Sequence, residues 1–339
     1  MTNDKADSED AIIGGYWAPL AEGFAGAFGL KDDCALIAPP AGCDLVVTTD
    51  AVVAGVHFFP DEDPGAVAWK ALAVNVSDLV AKGAEPLAYL MTVAFPAAPE
   101  RAWLADFTAG LARAQQHFGC HLAGGDTDRT PGPLSVSITA IGSVPKGRMV
   151  RRSTAQAGDL VYVSGTIGDA ALGLDRRRER PAQSAQGTDI ASEGSRLDTA
   201  LSTPQPPIAL APVVRDFAAA AMDVSDGLVK DFTRMCAASA VGGRIEAPRV
   251  PLSEAARAVL SAGDATLERL ITGGEDYQVL AALRPASAPE FERGAAAAGV
   301  AVTCIGSIED ASAGVSVLGA DGRPLALAAA GWDHFHKKV

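Results

Sequence analysis

Apolar and polar residues alternate along the chain with two different periods, one typical of strands and one typical of helices. The β-branched run at residues 45–49 predicts a strand, because such side chains fit a pleated sheet. From Ala66 to Lys82, apolar residues recur at helical spacing, beginning with Leu72, and Gly83 ends the predicted helix. The first part of the chain is therefore expected to contain a strand followed by a helix.

The same alternation continues towards the C-terminus. Further strands are predicted at 89–95, up to Ala123, at 135–141, 160–163, 220–224, 277–283 and 302–308, and further helices at 100–117, from Asp226 and at 288–298. Strands and helices that follow one another in this way indicate a mixed fold, α/β with α+β character.

The length of the chain predicts two domains, because 339 residues is about twice a typical domain of roughly 150 residues. The connector at 144–148 contains proline, glycine and basic residues and separates two predicted strands, so the boundary is expected there. We expect an N-terminal domain at 11–148 and a C-terminal domain at 149–339. The polar residues 1–10 are expected to form a disordered tail.

Residues 175–207 interrupt the alternation of strands and helices. They contain a run of arginines, followed by serine, glutamine, glycine, threonine and several prolines. This composition predicts a flexible insertion in the C-terminal domain. We interpret its arginines as a solvated surface in preference to a phosphate-binding site.

The balance of charges limits the partners that the protein can have. Acidic residues number 41 and basic residues 28, which gives a formal net charge of -13. Such a protein repels nucleic-acid backbones and anionic membranes, so neither is an expected partner. An anionic small substrate would need metal ions or a few well-placed basic groups to offset the repulsion.

Signals for secretion and membrane insertion are missing from the sequence. No run approaches the roughly 18 apolar residues of a membrane span, and residues 1–10 are polar and acidic, unlike a signal peptide. The five cysteines are scattered without CxxC spacing, so neither a disulfide framework nor a zinc site is expected. These features predict a cytoplasmic protein.

The candidate chemistry lies in acidic segments. The sequence has no Walker A loop, no HExxH, no GxSxG and no strand-linked GxGxxG. Instead, six acidic segments, several with glycine or hydroxyl residues, lie at the ends of predicted elements, at 31–34, 48–50, 75–78, 124–127, 223–227 and 273–277. Ligands bind at the carboxyl ends of strands in α/β sheets, so these segments are candidates for one site.

The residue types in these segments suit phosphate chemistry. Aspartate and hydroxyl oxygens are ligands that Mg²⁺ prefers, and glycine lets backbone N–H groups approach phosphate oxygens closely. A single aspartate after a strand is more often a turn former or a helix cap. Six such segments in one acidic chain favour a polyphosphate site with several metal ions.

Three further features have a functional and a structural interpretation. Asn75 and Asp78 share one face of a predicted helix, which is either part of a site or a solvated surface. His57 follows the first strand, where a lone histidine is usually a structural hydrogen-bonding residue. Trp332 lies near the C-terminus, where an aromatic residue normally anchors the tail. The pattern alone leaves both interpretations open.

The order of the motifs is more specific than any one of them. From the N-terminus they are DDCALI, TTDAVVAGVHF, KALAVNVSDLVAKGAEP, GGDTD, GRMVRRSTAQAGDLVYVSGTIGDAALGL, MDVSDGL, GGEDYQVL, CIGSI and GWDHF. This series, at about residues 30–336, closely resembles the thiamine-monophosphate kinases. That family belongs to the superfamily of aminoimidazole-ribonucleotide synthetase and selenophosphate synthetase.

The resemblance implies a two-domain aminoimidazole-ribonucleotide synthetase-like fold, with an N-terminal domain that forms a homodimer through its sheet and a C-terminal α/β domain. It implies transfer of a phosphoryl group from ATP to thiamine monophosphate, which yields thiamine diphosphate and ADP, with several Mg²⁺ ions. A phosphate monoester has a second pKa of ~6, so the acceptor is largely dianionic at neutral pH and direct in-line transfer needs no protein base.

The resemblance also assigns roles to individual residues. The expected magnesium ligands are Asp33, Thr48, Thr49, Asp50, Asp78, Asp126, Asp223 and Asp226. The expected contacts to ATP are Gly125, Asp126, Arg152 and Ser225. The expected contacts to thiamine monophosphate are His57, Glu275 and Trp332. Among all of these, Asp50, Asp126 and Arg152 are expected to act in catalysis.

The chain departs from the family pattern at a few positions, and none of them is an expected metal ligand. Lys31 stands where a glycine is usual, Lys82 where a methionine is usual, Asp128 where a threonine is usual and Gln278 where a glutamate is usual; His117 stands near a position where relatives can offer a tyrosine to the nucleotide. If the backbone at Lys31 has a positive φ, its side chain costs on the order of 1 kcal/mol.

Two other functions stay open at this point. One is another ATP-dependent synthetase of the same superfamily, which would phosphorylate a carbonyl or amide oxygen. The other is a non-catalytic ATP-binding dimer, which would bind the nucleotide without consuming it.

Overall fold

The computed structural model of the protein describes residues 5–6, 8–179 and 193–332. These residues divide into two compact units. The first unit comprises the described residues up to Leu79 together with Ala84–Met149, and the second comprises Val80–Gly83 together with the described residues from Val150 onwards. No helix within these described segments is long and apolar enough to cross a membrane.

The first unit is built around a four-stranded sheet with the order β1-β4-β2-β3. Strands β2 and β3 are parallel, and β4 is antiparallel to both β1 and β2. The elements are α1 (Glu9–Ile12), β1 (Cys43–Val53), α2 (Pro64–Ala81), β2 (Glu85–Phe95), α3 (Arg101–Phe118), β3 (His121–Arg129) and β4 (Ser135–Pro145).

Strand β1 shows that one face of this sheet is packed and the other is open. Val46 and Val52 are buried, whereas Val47, between them on the alternate face, is 60% exposed. Successive side chains of a strand point to opposite faces, so the even-numbered positions of β1 belong to the packed face. Helix α2 lies against that face, since its side chains form hydrogen bonds with β1.

The second unit is built around a six-stranded sheet with the order β10-β7-β9-β5-β8-β6. Strands β10 and β7 are parallel, and the other neighbours are antiparallel. The strands are β5 (Leu160–Ser164), β6 (Ala220–Val224), β7 (Gly242–Glu246), β8 (Gln278–Leu283), β9 (Val302–Glu309) and β10 (Val315–Leu318). The helices are α4 (Asp169–Glu179), α5 (Glu193–Ser202), α6 (Ala211–Phe217), α7 (Leu228–Ser239), α8 (Glu254–Ala262), α9 (Leu267–Thr272) and α10 (Ala288–Ala297).

Helix α7 carries much of the core of the second unit. Leu228, Phe232 and Met235 recur at helical spacing and are fully buried. They belong to one hydrophobic cluster with the strand residues Ile245 and Leu280. Burial of a large apolar side chain stabilises a fold by roughly 1.5–3 kcal/mol, so this stripe fixes α7 on the sheet. The position of α7 matters because the segment just before it carries expected site residues.

The predicted disordered tail is shorter in the structure. Lys5 forms a bridge with Glu100, and the N–H of Ala6 donates to the carbonyl of Pro99 at 3.1 Å. Glu9 then begins α1, which Ser8 caps by accepting from Ala11 N. The expectation of disorder is therefore wrong for these positions, while residues 1–4 and 7 lie outside the described part.

The predicted flexible insertion at 175–207 also needs correction. Residues 180–192 lie outside the described part, but 175–179 continue α4 and 193–202 form α5. Leu197 and Leu201 are buried on one side of α5. Their spacing of one helical turn is the physical reason for an ordered helix, and the polar composition around them concealed it.

The division into units differs from the predicted one in one respect. The second unit begins at Val150, next to the boundary expected after Arg148, but it also includes residues 80–83. The ammonium of Lys82 donates to the carbonyl of Ala221 at 2.7 Å, and the carbonyl of Lys82 accepts from Val150 N at 3.1 Å. Helical periodicity is local, so it gave no indication that the end of α2 belongs elsewhere.

Candidate functional site

In the first unit, β1 and α2 bring four polar residues together. Thr48 and Asp50 are two positions apart on β1 and therefore share its packed face. Asn75 and Asp78 are three positions apart on α2 and face them. The hydroxyl of Thr48 donates to Asp78 Oδ2 at 2.6 Å, and the backbone N–H of Asp50 donates to Asn75 Oδ1 at 2.9 Å. The interpretation of the α2 pair as a solvated surface is therefore wrong.

Asn75 is a supporting residue that the list of expected site residues did not contain. Its side chain is completely buried, its Oδ1 accepts from Asp50, and its Nδ2 donates to the carbonyl of Ala71 at 3.0 Å. Both ends of the amide are thus engaged, which fixes the backbone of Asp50. A polar residue within an almost wholly apolar helix was the signal in the sequence.

Two other expected ligands of the first unit lie apart from this group. Asp126 pairs with Thr92 of β2, in the row of the sheet that includes Ala51 on β1. Three strand spacings, roughly 14 Å, separate β1 from β3 along such a row. Thr49 points to the open face, where its hydroxyl donates to the carbonyl of Ile138 at 3.1 Å. Asp126 and Asp50 therefore do not form one cluster.

The N-terminal acidic segment is exposed and has no left-handed residue at its first position. Asp33 lies in a bend after the short helical turns at 25–30. Lys31 has φ -110°, so the strain expected if this position had a positive φ does not arise. The nearby non-glycine residues with a left-handed backbone are instead Phe28 and Leu30, with φ of 51° and 56°.

Gly125 occupies a position that no other residue fits. Its φ is 154°, and a Cβ atom there would lie 1.8 Å from the carbonyl oxygen of Met91. Glycine is therefore required for the close approach of β3 to β2. Asp126 follows directly and is exposed, and its Oδ1 accepts from the N–H of Thr127 at 2.8 Å.

His57 is held in the loop that follows β1. Its Nδ1 accepts from the N–H of Val53 at 3.0 Å, and its carbonyl accepts from the ammonium of Lys70 at 2.7 Å. With Nδ1 as an acceptor, the hydrogen-bond network assigns the ring proton to Nε2. The half-buried ring thus presents a donor on the side away from Val53.

In the second unit, two distant acidic segments are joined by backbone hydrogen bonds. Residues 223–227 comprise the last two residues of β6 and the turn after it, and residues 273–277 precede β8, the neighbour of β6 in the sheet. The N–H of Glu275 donates to Ser225 O at 2.7 Å, and the N–H of Tyr277 donates to Val224 O at 2.8 Å. Both donors have a left-handed backbone, with φ of 64° and 49°. Non-glycine residues rarely adopt it, and such strain is concentrated at functional sites.

The last described residues, Gly331 and Trp332, contact the turn after β6. The N–H of Trp332 donates to the carbonyl of Asp226 at 2.9 Å, and the ammonium of Lys230 donates to the carbonyl of Trp332. A Cβ atom at Gly331 would lie 2.5 Å from the same Asp226 oxygen. The side chain of Trp332 is left 37% exposed at the start of α7. Asp223, Ser225, Glu275 and Trp332 therefore lie around one turn.

Asp226, just before α7, forms ion pairs with two residues of that helix. Its Oδ2 lies 2.5 Å from Arg234 Nη1 and 3.7 Å from Lys230 Nζ. The carboxylate of this expected metal ligand is therefore already neutralised by two cations. Arg152 lies in an exposed turn of the same unit, where its carbonyl accepts from the hydroxyl of Ser239 at 3.1 Å.

Asp231 is a further site residue that the sequence did not reveal. It is completely buried, its Oδ2 accepts from the N–H groups of Ser225 and Asp226 at 3.0 Å and 2.9 Å, and its Oδ1 accepts from Arg234 at 2.9 Å. Burial raises the pKa of Asp231 to about 6. The signal that could have identified it is an aspartate next to Phe232 on the apolar face of α7.

The described residues alone provide no closed metal cage. Within the part of the chain that the structure describes, no group of three or more His, Cys, Asp and Glu side chains could hold a metal ion. The nearest set of hard oxygen donors is Thr48, Asp50 and Asp78. Mg²⁺ commonly takes one or two carboxylates and completes its shell with water and phosphate oxygens, so this donor set fits Mg²⁺.

Comparison with known families covers both units. Residues 31–144 match the N-terminal domain of the AIR synthase related proteins, and residues 156–319 match the C-terminal domain. The chain is 40% identical over 319 residues to the thiamine-monophosphate kinase of Caulobacter vibrioides, which covers 93% of this chain and 88% of that protein.

Solved structures give the same result. The crystal structure of thiamine-monophosphate kinase from Stenotrophomonas maltophilia K279a is 38% identical, with a TM-score of 0.79 over 87% of this chain and 91% of that one. The structure of AaThiL complexed with AMPPCP and TMP is 30% identical, with a TM-score of 0.75 over 91% of this chain and 97% of that one. The predicted resemblance is confirmed: the chain belongs to the thiamine-monophosphate kinase family of AIR synthase related proteins.

Proposed function

We propose that this protein transfers the γ-phosphoryl group of ATP to thiamine monophosphate and releases thiamine diphosphate and ADP, a step of thiamine diphosphate biosynthesis. The observation that carries the proposal is the likeness over 91% of the chain to AaThiL complexed with AMPPCP and TMP. The assigned contacts to the nucleotide are Gly125, Asp126, Arg152 and Ser225, and those to the acceptor are His57, Glu275 and Trp332.

The acceptor oxygen attacks directly, without a protein base. The second pKa of a phosphate monoester is ~6, so thiamine monophosphate is already a nucleophilic dianion at neutral pH. The engagement of His57 supports this assignment, since its Nδ1 is occupied by the N–H of Val53 and cannot accept a proton there. An Nε2–H donor suits hydrogen bonding to an acceptor phosphate.

The proposal includes Mg²⁺ because ATP and thiamine monophosphate, both anionic, must approach each other in a protein of net charge -13. When bound, the metal ions would neutralise phosphate charge and polarise the transferred group. Thr48, Asp50 and Asp78 are the best supported ligands, since they already face one another. Asp226 is the weakest, because Arg234 and Lys230 compete for its carboxylate. The other proposed ligands are Asp33, Thr49, Asp126 and Asp223.

The remaining roles follow from charge and shape. Arg152, Asp50 and Asp126 are the residues proposed for catalysis: the arginine would offset phosphate charge during transfer, and each aspartate would help to hold metal. The exposed ring of Trp332 offers a flat surface for the cationic thiazolium or the pyrimidine of the acceptor. The left-handed backbone at Glu275 sets the direction in which that segment meets the acceptor.

We also propose a cytoplasmic homodimer. The open face of the first sheet exposes Leu45, Val47 and Leu90, at 37%, 60% and 37%, and a second copy of the chain would cover them. All five cysteines are unpaired thiols, which suits a reducing compartment.

The decisive experiment is a product analysis. The purified protein is incubated with ATP, Mg²⁺ and thiamine monophosphate, and the products are separated by anion-exchange chromatography. We expect thiamine diphosphate and ADP in equal amounts. ADP and inorganic phosphate without thiamine diphosphate would favour another synthetase of the superfamily, and bound but unconsumed ATP would favour a non-catalytic dimer.

A further inference from the structure

A buried carboxylate lies beneath the turn that carries Ser225 and Asp226. Asp231 is in the first turns of α7 and has no exposed surface. It lies next to Phe232 and three positions after Leu228, within the apolar stripe that packs on the sheet. A charged group at such a place is costly unless several hydrogen bonds compensate for the loss of water. The hydrogen-bond partners of Asp231 therefore indicate the role of this buried carboxylate.

Those partners are the backbone of the site turn and one arginine. Asp231 Oδ2 accepts from Ser225 N at 3.0 Å and from Asp226 N at 2.9 Å. Asp231 Oδ1 accepts from Arg234, and the same guanidinium reaches the carboxylate of Asp226. Asp231 thus holds both the backbone of the turn and, through Arg234, one side chain that the turn presents.

The carbonyl groups of the turn are held by other segments of the chain. Gly227 has φ 122°, and a Cβ atom there would lie 2.9 Å from the backbone of Thr272, so the chain passes through a conformation that only glycine adopts readily. From the outer side, Ser225 O and Asp226 O accept from Glu275 N and Trp332 N. The carbonyls of the turn are therefore tied to the acceptor segments, whereas its N–H groups are tied to Asp231.

We propose that Asp231 is a positioning residue for nucleotide binding: it orients the turn of Ser225 and Asp226 by accepting both of their N–H groups from within the core. This inference rests on the proposed function, in which Ser225 contacts ATP. Asp231 itself touches neither substrate in this assignment and acts through the turn. Loss of its acceptor oxygen leaves two N–H groups without a partner, and the turn then relaxes away from the geometry that the nucleotide requires.

The test compares three variants. Asp231→Leu keeps the approximate size and removes both acceptor oxygens. Asp231→Asn keeps one oxygen for the two N–H groups and removes the charge. Met235→Ala truncates a buried residue four positions further along the same helix, and it serves as the control for a general loss of stability. Steady-state kinetics with ATP and thiamine monophosphate are measured well below each melting temperature.

We expect Asp231→Leu to raise the KM for ATP at least 10-fold and Asp231→Asn to stay within about 3-fold of the wild type. Met235→Ala should lower the melting temperature with an unchanged KM. An unchanged KM for ATP in Asp231→Leu, or the same rise in Met235→Ala, would overturn the positioning role. If Asp231→Leu does not fold, Asp231→Asn and Arg234→Gln are compared. A KM for ATP that rises 10-fold or more in Asp231→Asn but stays normal in Arg234→Gln would also overturn the positioning role.

A second readout does not depend on turnover. Amide hydrogen exchange is followed by mass spectrometry in a peptide that covers 223–228 and in one that covers β8. We expect faster exchange in the first peptide of Asp231→Leu, at least 10-fold, with β8 unchanged. Equal exchange in wild type and variant contradicts the inference even if the wild type shows no kinase activity, whereas inactivity of the wild type alone contradicts only the proposed function.

Discussion

Asp50 is the residue whose surroundings are most fully defined in the first unit. Its N–H is held by the buried Asn75, and the neighbouring Thr48 and Asp78 are joined by a hydrogen bond of 2.6 Å. The backbone is thus fixed while the carboxylate of Asp50 is exposed on β1. Such preorganisation suits a ligand whose task is to hold a metal and phosphate in one geometry.

We predict that Asp50→Asn lowers kcat by about 100-fold or more, because the amide keeps the shape but lacks the charge that a metal needs. The melting temperature should stay close to that of the wild type. Asp106→Asn, an exposed change on α3, is the matched control and should leave kcat unaltered. A normal rate at saturating Mg²⁺ in Asp50→Asn would remove this residue from the metal site.

Asp276 is a second residue with a distinctive environment. Its Oδ1 accepts from Gly168 N at 2.7 Å, and its buried Oδ2 has no hydrogen-bond partner among the described residues. Burial is the main cause that raises the pKa of Asp276 well above its ordinary value, and the negative charges of Asp169, Asp231 and Glu275 raise it further. The fold therefore favours the neutral carboxyl group.

This environment predicts a pH-dependent stability. The folded pKa of Asp276 lies above the unfolded one, so the folded state binds more protons and loses stability as pH rises above the unfolded value of about 4. Asp276→Asn removes this loss, so its free energy of unfolding relative to the wild type should be higher at pH 8.5 than at pH 5.5. Urea unfolding at both pH values measures it, and an equal difference at both would contradict the assignment.

At the scale of elements, α5 shows how composition can mislead. Serine, glutamine and glycine around it favoured a flexible insertion, but Leu197 and Leu201 lie one turn apart and are buried. Leu197 belongs to a small cluster with Leu172 of α4 and Leu270 of α9. A helix with such a stripe gains its stability from packing and not from the composition of its polar face.

We predict that Leu197→Ala destabilises the second unit by about 2–4 kcal/mol, the usual cost of a cavity at a fully buried leucine. Leu36→Ala, at a position 66% exposed, should change the free energy of unfolding by less than about 0.5 kcal/mol. Urea unfolding followed by circular dichroism measures both. Equal stability of the two variants would mean that α5 does not pack in solution.

The C-terminal segment is an element without regular structure that nevertheless has a defined place. The N–H of Trp332 donates to the carbonyl of Asp226, and the carbonyl of Trp332 accepts from the ammonium of Lys230. Gly331 passes so close to Asp226 O that a Cβ atom would lie at 2.5 Å. Sequence reasoning treated Trp332 either as an anchor or as a substrate contact. In the structure the backbone of Trp332 anchors the C-terminal segment, while the indole ring of Trp332 stays partly exposed.

We predict that Gly331→Ala raises the KM for thiamine monophosphate at least 5-fold and that for ATP less than 2-fold, because the methyl group forces the segment away from α7. Trp332→Ala should give the same split. Gly15→Ala, where an added Cβ meets nothing within 4 Å, is the control. Equal effects on both substrates would place Trp332 outside the acceptor pocket.

At the scale of the whole molecule, the sequence predicted the mixed fold and the family, because the strand and helix periods are local and the motifs occur in a specific order. It could not predict contacts between distant segments. The bonds from Glu275 to Ser225 and from Tyr277 to Val224 depend on β6 and β8 being neighbours in the sheet. Nor did it reveal that Lys82 is bonded to Ala221 in the second unit. The residue types of the site could be predicted from the sequence, whereas the hydrogen bonds that hold those residues in place could not.

The last prediction concerns assembly. The open face of the first sheet exposes Val47 at 60% and Leu90 at 37%, and an apolar sheet face without a covering layer is typical of an interface. We expect a mass about twice the 34.6 kDa of one chain in light scattering. The double variant Val47→Lys, Leu90→Lys should raise the dimer dissociation constant at least 10-fold, because it places charges on the covered face.

The control for this change is Val315→Lys, at a position 36% exposed on β10 of the second unit, which should leave the mass unaltered. Both proteins must keep the wild-type circular dichroism spectrum, so that a lower mass reports dissociation and not unfolding. A wild-type mass of 34.6 kDa, or a dimer that resists the double variant, would exclude this face as the interface. Activity measured on the monomeric variant would then show whether one chain suffices for phosphoryl transfer.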